Sequence, residues 1–316
     1  MIHVVHHPAY VAPAPGSPQS NTSRGSPPAR STYRWNKNGL IRDLLMAEGD
    51  RIAWHRPDPT PLAALEAVHD PDYVAEVLEA RVPAAKTRRI GFPVTPEVAA
   101  RAAVVPGGTW LAARLALEHG YGANTAGGSH HALHDTGAGF CIFNDLAVAA
   151  VRLIQDGTVR RVAVVDVDVH QGDGTAALLA GRPGIATYSV HAEKNFPVRK
   201  ARSTLDVPLA DGVGDDEYLT TLEVTLAPFL DARAPDLILY QAGVDPYAGD
   251  RLGRLSLTRE GLRARERLVA GLTRARGLPL ASTVGGGYGD DAAEIAERHV
   301  DAILTLGDAF GPIRAG

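Results

Sequence analysis

The chain of 316 residues carries 36 acidic and 32 basic side chains, 12 histidines and a single cysteine, and 45% of it is hydrophobic. One cysteine can form neither an internal disulfide nor a multi-thiolate centre, so any metal must rest on imidazole and carboxylate. A formal net charge of −4 lacks the basic footprint of a dedicated nucleic-acid binder, and no direct nucleic-acid partner is expected.

The length suits a single large domain spanning 1–316. The start, Met-Ile-His-Val-Val-His-His-Pro, has no basic region followed by an apolar stretch, and no run of about 18 apolar residues occurs anywhere. A soluble, cytoplasmic protein with no membrane contact is the expectation; the oligomeric state is left open.

The first apolar run is Ile2–Val5. Residues 12–32 are dominated by Pro, Gly, Ser, Ala and Asn, a composition that predicts a long loop bordering a site. From Pro96 onward the pattern predicts helices near 96–119, 144–156, 174–181, 215–230, 258–275 and 290–307. Between them it predicts strands at 121–126, 161–169, 184–190, 236–242 and 279–285. The strands near 161–165 and 235–240 are almost continuously apolar, as strands buried on both faces should be. Alternation of helix and strand implies right-handed crossovers and one α/β domain with a mostly parallel sheet flanked by helices. Ligands of such sheets bind at the carboxyl ends of the strands, and every polar cluster of this chain follows a predicted strand.

The first cluster in the chain is Ala126-Gly127-Gly128-Ser129-His130-His131-Ala132. Two glycines let backbone approach a ligand closely, and adjacent imidazoles with carboxylate partners suit proton transfer. The second, Val165-Asp166-Val167-Asp168-Val169-His170-Gln171-Gly172-Asp173-Gly174, carries the strongest signal. Strand alternation puts Asp166, Asp168 and His170 on one face, and burying two carboxylates beside an imidazole calls for a cation. The third, Gln241-Ala242-Gly243-Val244-Asp245-Pro246, adds Asp245 to Asp168 and His170. One imidazole and two carboxylates suit catalytic zinc, and iron or manganese could take the same ligands. The fourth, Val284-Gly285-Gly286-Gly287-Tyr288-Gly289, lacks the Lys-Ser/Thr of a phosphate loop. Its Tyr could be simple packing, or, at the same sheet edge as the metal, a phenol that could donate a hydrogen bond to a developing oxyanion.

In this order, and together with Gly139-Phe-Cys-Ile-Phe-Asn-Asp145 and Ala242-Gly-Val-Asp-Pro-Tyr-Ala-Gly-Asp250, the clusters resemble the zinc-dependent histone deacetylase family. The resemblance runs from about His69 to Asp301, and the stretch Gly249–Ser256 looks most like its class IV branch and bacterial relatives. It implies a three-layer domain of the arginase–deacetylase type that removes acyl groups from acyl-lysine. It also implies Asp168, His170 and Asp245 as ligands of one Zn2+, and His131, held by Asp173, as general base and then acid. His130 paired with Asp166 would give electrostatic support, and Tyr288 would polarise the scissile carbonyl. A potassium ion is implied near Asp166, Asp168, His170 and Ser189. Gly139, Phe140, Phe196, Leu252 and Gly286 would form the substrate passage, with Cys141 as a packed side chain beside it.

Two departures from the family pattern bear on substrate. The segment Ile90–Pro96 offers no Asp to grip a peptide backbone, and position 252 is Leu where a polyamine-specific branch has an acid. An acetylpolyamine or another small acylated amine is the alternative substrate. A dinuclear ureohydrolase would need further carboxylates at positions 172 and 243, which are both glycine. A non-catalytic acyl-lysine binder would have no use for the histidines, their Asp partners and Tyr288.

Overall fold

The computed structural model describes residues 1–11 and 34–311; the loop expected at 12–32 lies outside them. The chain opens with β1 (Ile2–Val5), α1 (Lys37–Met46) and β2 (Ile52–His55). Four helices follow: α2 (Leu62–Glu66), α3 (Pro71–Leu78), α4 (Ala84–Ile90) and the long α5 (Pro96–His119). Then come β3 (Tyr121–Asn124), α6 (Asp145–Gln155), β4 (Val162–Asp166), α7 (Asp173–Leu179), β5 (Ile185–Ala192) and β6 (Leu205–Leu209). The chain finishes with α8 (Asp215–Arg233), β7 (Leu237–Ala242), α9 (Arg259–Arg274), β8 (Leu280–Val284) and α10 (Ala292–Phe310).

The strands form one eight-stranded sheet in the order β2-β1-β3-β8-β7-β4-β5-β6. Every neighbouring pair runs parallel. Alternation along the strands divides the core into two layers. On β4, Ala163 and Val165 join a cluster with residues of α1, α8, α9 and α10, while Val162 and Val164 join one with residues of α3, α5 and α6. The sheet is therefore buried on both faces, as its apolar runs require. Helix starts follow local chemistry: the Thr95, Asn144, Thr258 and Asp291 side chains each accept a backbone N–H of the first turn of α5, α6, α9 and α10.

The predicted elements from Pro96 onward sit within about three residues of the observed ones. One difference matters for the site. The run expected as a strand over 161–169 is hydrogen-bonded as a strand only to Asp166, so Asp168 and His170 occupy the loop beyond it. The alternation nevertheless continues there, since Val165, Val167 and Val169 all enter the same core layer. The pattern did not reveal α1 to α4 or the two edge strands. Strand β2 has four residues with partial exposure, and β6 contains Pro208, which is tolerated because an edge strand has no neighbour on one side. None of the described helices is long and apolar enough to cross a membrane.

Candidate active site

The carboxyl ends of β3, β4, β7 and β8 are consecutive neighbours around the middle of the sheet, and the four polar clusters are the loops that leave them. The loop after β4 and the loop after β7 meet at Asp168, His170 and Asp245, all buried, with one potential ligand atom from each lying within 4.8 Å of the others. His170 Nδ1 faces both carboxylates, 3.0 Å from Asp168 Oδ1 and 3.2 Å from Asp245 Oδ2. Backbone N–H groups fix the acids: Val169 donates to Asp245 Oδ1 at 2.9 Å and Gly286 to Asp168 Oδ2 at 2.8 Å. Burial, and then the adjacent Asp168 charge, push Asp245 up to about 7. Two buried carboxylates side by side with one imidazole form a donor set that a divalent cation fits.

Gly286, expected at the substrate passage, lines the cavity and also braces the ligand set. A Cβ at this position would lie 1.9 Å from Asp245 Oδ2 and 2.7 Å from Asp168 Oδ2, so only glycine lets the loop after β8 lie against both ligand carboxylates and donate its N–H to Asp168. The two positions where a dinuclear site needs extra acids are closed in the same way. A Cβ at Gly172 would stand 2.3 Å from Asp166 Oδ2, and one at Gly243 2.3 Å from Asp168 Oδ2.

The histidine pair rests against this centre. His130 Nδ1 donates to Asp166 Oδ2 at 2.7 Å, and His131 Nδ1 donates to Asp173 Oδ1 at 2.7 Å. The rings lie 4.0 Å apart, and His131 meets His170 edge-on at 5.8 Å. The same burial acts on both with opposite outcomes. It opposes charge on His130, yet Asp166 and Asp168 hold that imidazolium up to about 9. Burial and the neighbouring His130 charge push His131 down to about 3 against the pull of Asp173. Tyr288 faces His170 with ring centroids 6.2 Å apart; burial, then the Asp168 and Asp245 charges, hold its phenol protonated well above the usual value.

A cavity is walled by His130, His131, Gly139, Phe140, Gly286 and Tyr288 and continues to Lys37, Asn38 and Arg101. Phe140 stands 5.8 Å from Tyr288 and stacks on Phe92 at 6.3 Å. Gly139 has φ +52°, and a Cβ there would come within 2.6 Å of the His131 ring. Phe196 packs edge-on to His131 at 4.8 Å and is 43% exposed. The Leu252 carbonyl accepts from Nδ2 of Asn195, the residue before Phe196, at 2.8 Å. Cys141 is buried, and burial pushes its thiol well up, which fits an inert packed side chain. Ser189, expected near a potassium ion, pairs with Asp166 across β4 and β5 and is buried.

Sequence reasoning missed five supporting residues. Gln241 donates to Asp168 Oδ2 at 3.0 Å. Asp250 accepts from the backbone of Tyr288 at 2.6 Å and of Leu252 and Gly253. Asp145 accepts from Gly128 and Ser129 N–H and from the Thr109 hydroxyl, holding the loop that carries the histidine pair. Lys37 Nζ donates to Gly285 O at 2.8 Å. Arg265 Nη1 donates to the carbonyl of Val167, between Asp166 and Asp168, at 3.2 Å. Asp145 and Asp250 close quoted motifs, so their position was a usable signal; Lys37 and Arg265 had none, since neither adjoins a motif.

Comparison with known proteins places this geometry in context. A model of the histone deacetylase domain matches residues 30–303. An uncharacterised protein of Picosynechococcus is 42% identical over 300 residues, covering 94% of this chain and 95% of that one. Histone deacetylase 2 of Arabidopsis thaliana is 31% identical over 204 residues, and the match spans 64% of this chain and 53% of the plant protein. Among solved structures, the HDA15 HD domain superposes with a TM-score of 0.78 at 21% identity, covering 99% of this chain and 90% of that one. An acetylpolyamine aminohydrolase from Burkholderia pseudomallei gives 0.77 at 21% identity, covering 97% and 99%. Both show the same fold.

Proposed function

The chain belongs to the histone deacetylase family of amide hydrolases, and on that premise we propose that it is a metal-dependent deacylase of acyl-lysine. The observation that carries this reading is the meeting of three elements: the buried Asp168, His170 and Asp245 donor set, the His131–Asp173 pair against His170, and the Tyr288 phenol facing His170, with His131 and Tyr288 also lining the cavity. A divalent ion, which we take to be zinc, would be held by the three ligands and supplies Lewis acidity towards water and the acyl carbonyl.

The remaining work falls to the chain. His131 Nε2 takes the proton of the attacking water and later delivers it to the leaving amine, while Asp173 holds Nδ1–H and thereby fixes the tautomer. His130, braced by Asp166, sets a positive charge beside that proton transfer. Tyr288 donates its hydroxyl hydrogen to the oxygen that gains charge. Gly139 and Phe140 line the approach. Ser189 beside Asp166 is consistent with a structural potassium ion under the ligand loop.

Acyl-lysine is favoured over an acetylpolyamine because position 252 holds Leu rather than an acid that would attract a second amine. The glycines at 172 and 243 favour a single metal over a dinuclear centre. The test is a fluorogenic acyl-lysine peptide assay on purified protein with and without a chelator. Turnover abolished by the chelator and restored by Zn2+ supports the reading; peptide binding without chelator-sensitive turnover would replace it with a binding role.

A further inference from the structure

The approach to the site is framed by loops tied to one another through backbone hydrogen bonds. Gly139 N–H donates to Arg89 O at 3.1 Å and Phe140 N–H to Ile90 O at 2.8 Å, which joins the cavity wall to the end of α4. Phe196, against His131, lies in the turn after β5, and Asn195 Nδ2 ties that turn to Leu252 O. Arg251 N–H in turn donates to Tyr288 O at 3.0 Å.

These loops carry an uneven charge. Arg88 and Arg89 at the end of α4, and Lys194, Arg199 and Arg202 around Phe196, are all exposed. Their neighbours are neutralised: Lys86 by Glu76, Arg251 by Asp290 and Arg254 by Asp211. Among the described residues, none of the five has a carboxylate within ion-pair distance. The opposing exposed acids close in sequence to the framing loops are Glu193, Asp135 and Asp291, and Asp291 is occupied in capping α10. A chain with formal net charge −4 thus gathers unmatched positive charge around the entrance to its catalytic centre.

We infer that the substrate is an acylated amine flanked by negative charge, namely an acyl-lysine within an acidic peptide segment. The inference rests on the hydrolytic reading above and narrows it. Each exposed pair with a substrate carboxylate is weak and screened, but the summed field steers encounter and suppresses cationic competitors. The effect therefore falls on KM and on the association rate, and an acetylpolyamine, which keeps an ammonium near its amide, is disfavoured by the same field.

The experiment uses the metal-loaded full chain and three acetyl-lysine peptides of equal length, with Asp/Glu, neutral or Arg/Lys flanks, beside an acetylpolyamine. The expected kcat/KM falls about tenfold from acidic to neutral flanks and again to basic ones. The spread is carried by KM and shrinks as salt rises from about 20 to about 300 mM, because the screening length shortens. A variant combining Arg88→Glu, Arg89→Glu, Lys194→Glu and Arg199→Glu should invert the order. Equal kcat/KM across the peptides, an order led by the basic peptide or the acetylpolyamine, or an order untouched by the fourfold variant overturns the inference and leaves the hydrolytic reading standing. No turnover of any substrate would remove both.

Discussion

Two buried polar clusters lie close together on β4 and β7, and they are built on opposite principles. In one, Arg265 of α9, fully buried, gives Nη2 to Glu266 Oε1 at 2.5 Å and Nη1 to Val167 O, while the Tyr240 hydroxyl donates to Glu266 Oε2 at 2.5 Å. Its charges cancel within the fold. In the other, Asp166, Asp168 and Asp245 face His130 and His170, and the acids outnumber the groups that could balance them. A buried ion pair that is complete on its own reads as architecture; one that leaves negative charge over reads as a place for a cation. The two are also joined, since the Arg265 cluster grips the β4 loop at Val167 and β7 at Tyr240, the two segments that lead to the ligands.

The contrast can be broken most severely at the catalytic cluster. His131→Ala should lower kcat by about 10²- to 10⁴-fold while thermal unfolding stays close to that of the parent; retained turnover would place the base elsewhere. The complementary change, Arg265→Met, should act on stability, costing about 3–5 kcal/mol because Glu266 is left buried and unpaired. Urea titration would show this, and pairing it with Glu266→Gln should recover much of the loss. If the single variant kept full stability, the two clusters would not differ as described.

A smaller effect is expected from Tyr288→Phe, with about 10²- to 10³-fold lost in kcat and no change in folding by circular dichroism. The smallest concerns a third buried polar group that stays uncharged. His69 is pinned between the carbonyl of Leu133 and the N–H of Asn144 at the start of α6, and burial pushes it down to about 4 from an ordinary 6.5. The unfolded chain therefore binds the extra proton between those values. The stability that His69 contributes is complete above about pH 6.5 and is lost as pH falls towards 4, at a slope of up to ~1.4 kcal/mol per pH unit. Denaturation at pH 7.5 and pH 5.0 with and without His69→Gln checks it; an equal pH dependence in both proteins would show that His69 is not the group responsible.

The local chemistry of the site was legible in residue order. Asp168 and His170 are two apart, His130 and His131 adjacent, and each motif follows an apolar run long enough to be recognised as a strand. The N-terminal third and β6 were not legible in this way, because α1 to α4 are short and β2 and β6 lie at sheet edges where half of the pattern faces solvent. The contact of Phe196 with the His131 ring and the tie of Leu252 to Asn195 were not legible either, since no periodicity governs where a loop side chain ends up.

The sequence by itself determined the sheet and its alternation, for these follow from which residues can be buried on both faces. Only the tertiary structure decided that β7 lies beside β4 with Asp166 level with Gln241, although β5 and β6 come between them in the chain. That neighbour relation brings Asp245 to Asp168 and His170, and Arg265 to Val167. Strand order depends on how crossover helices cover the two faces of the finished sheet, a property that no single stretch of the chain contains.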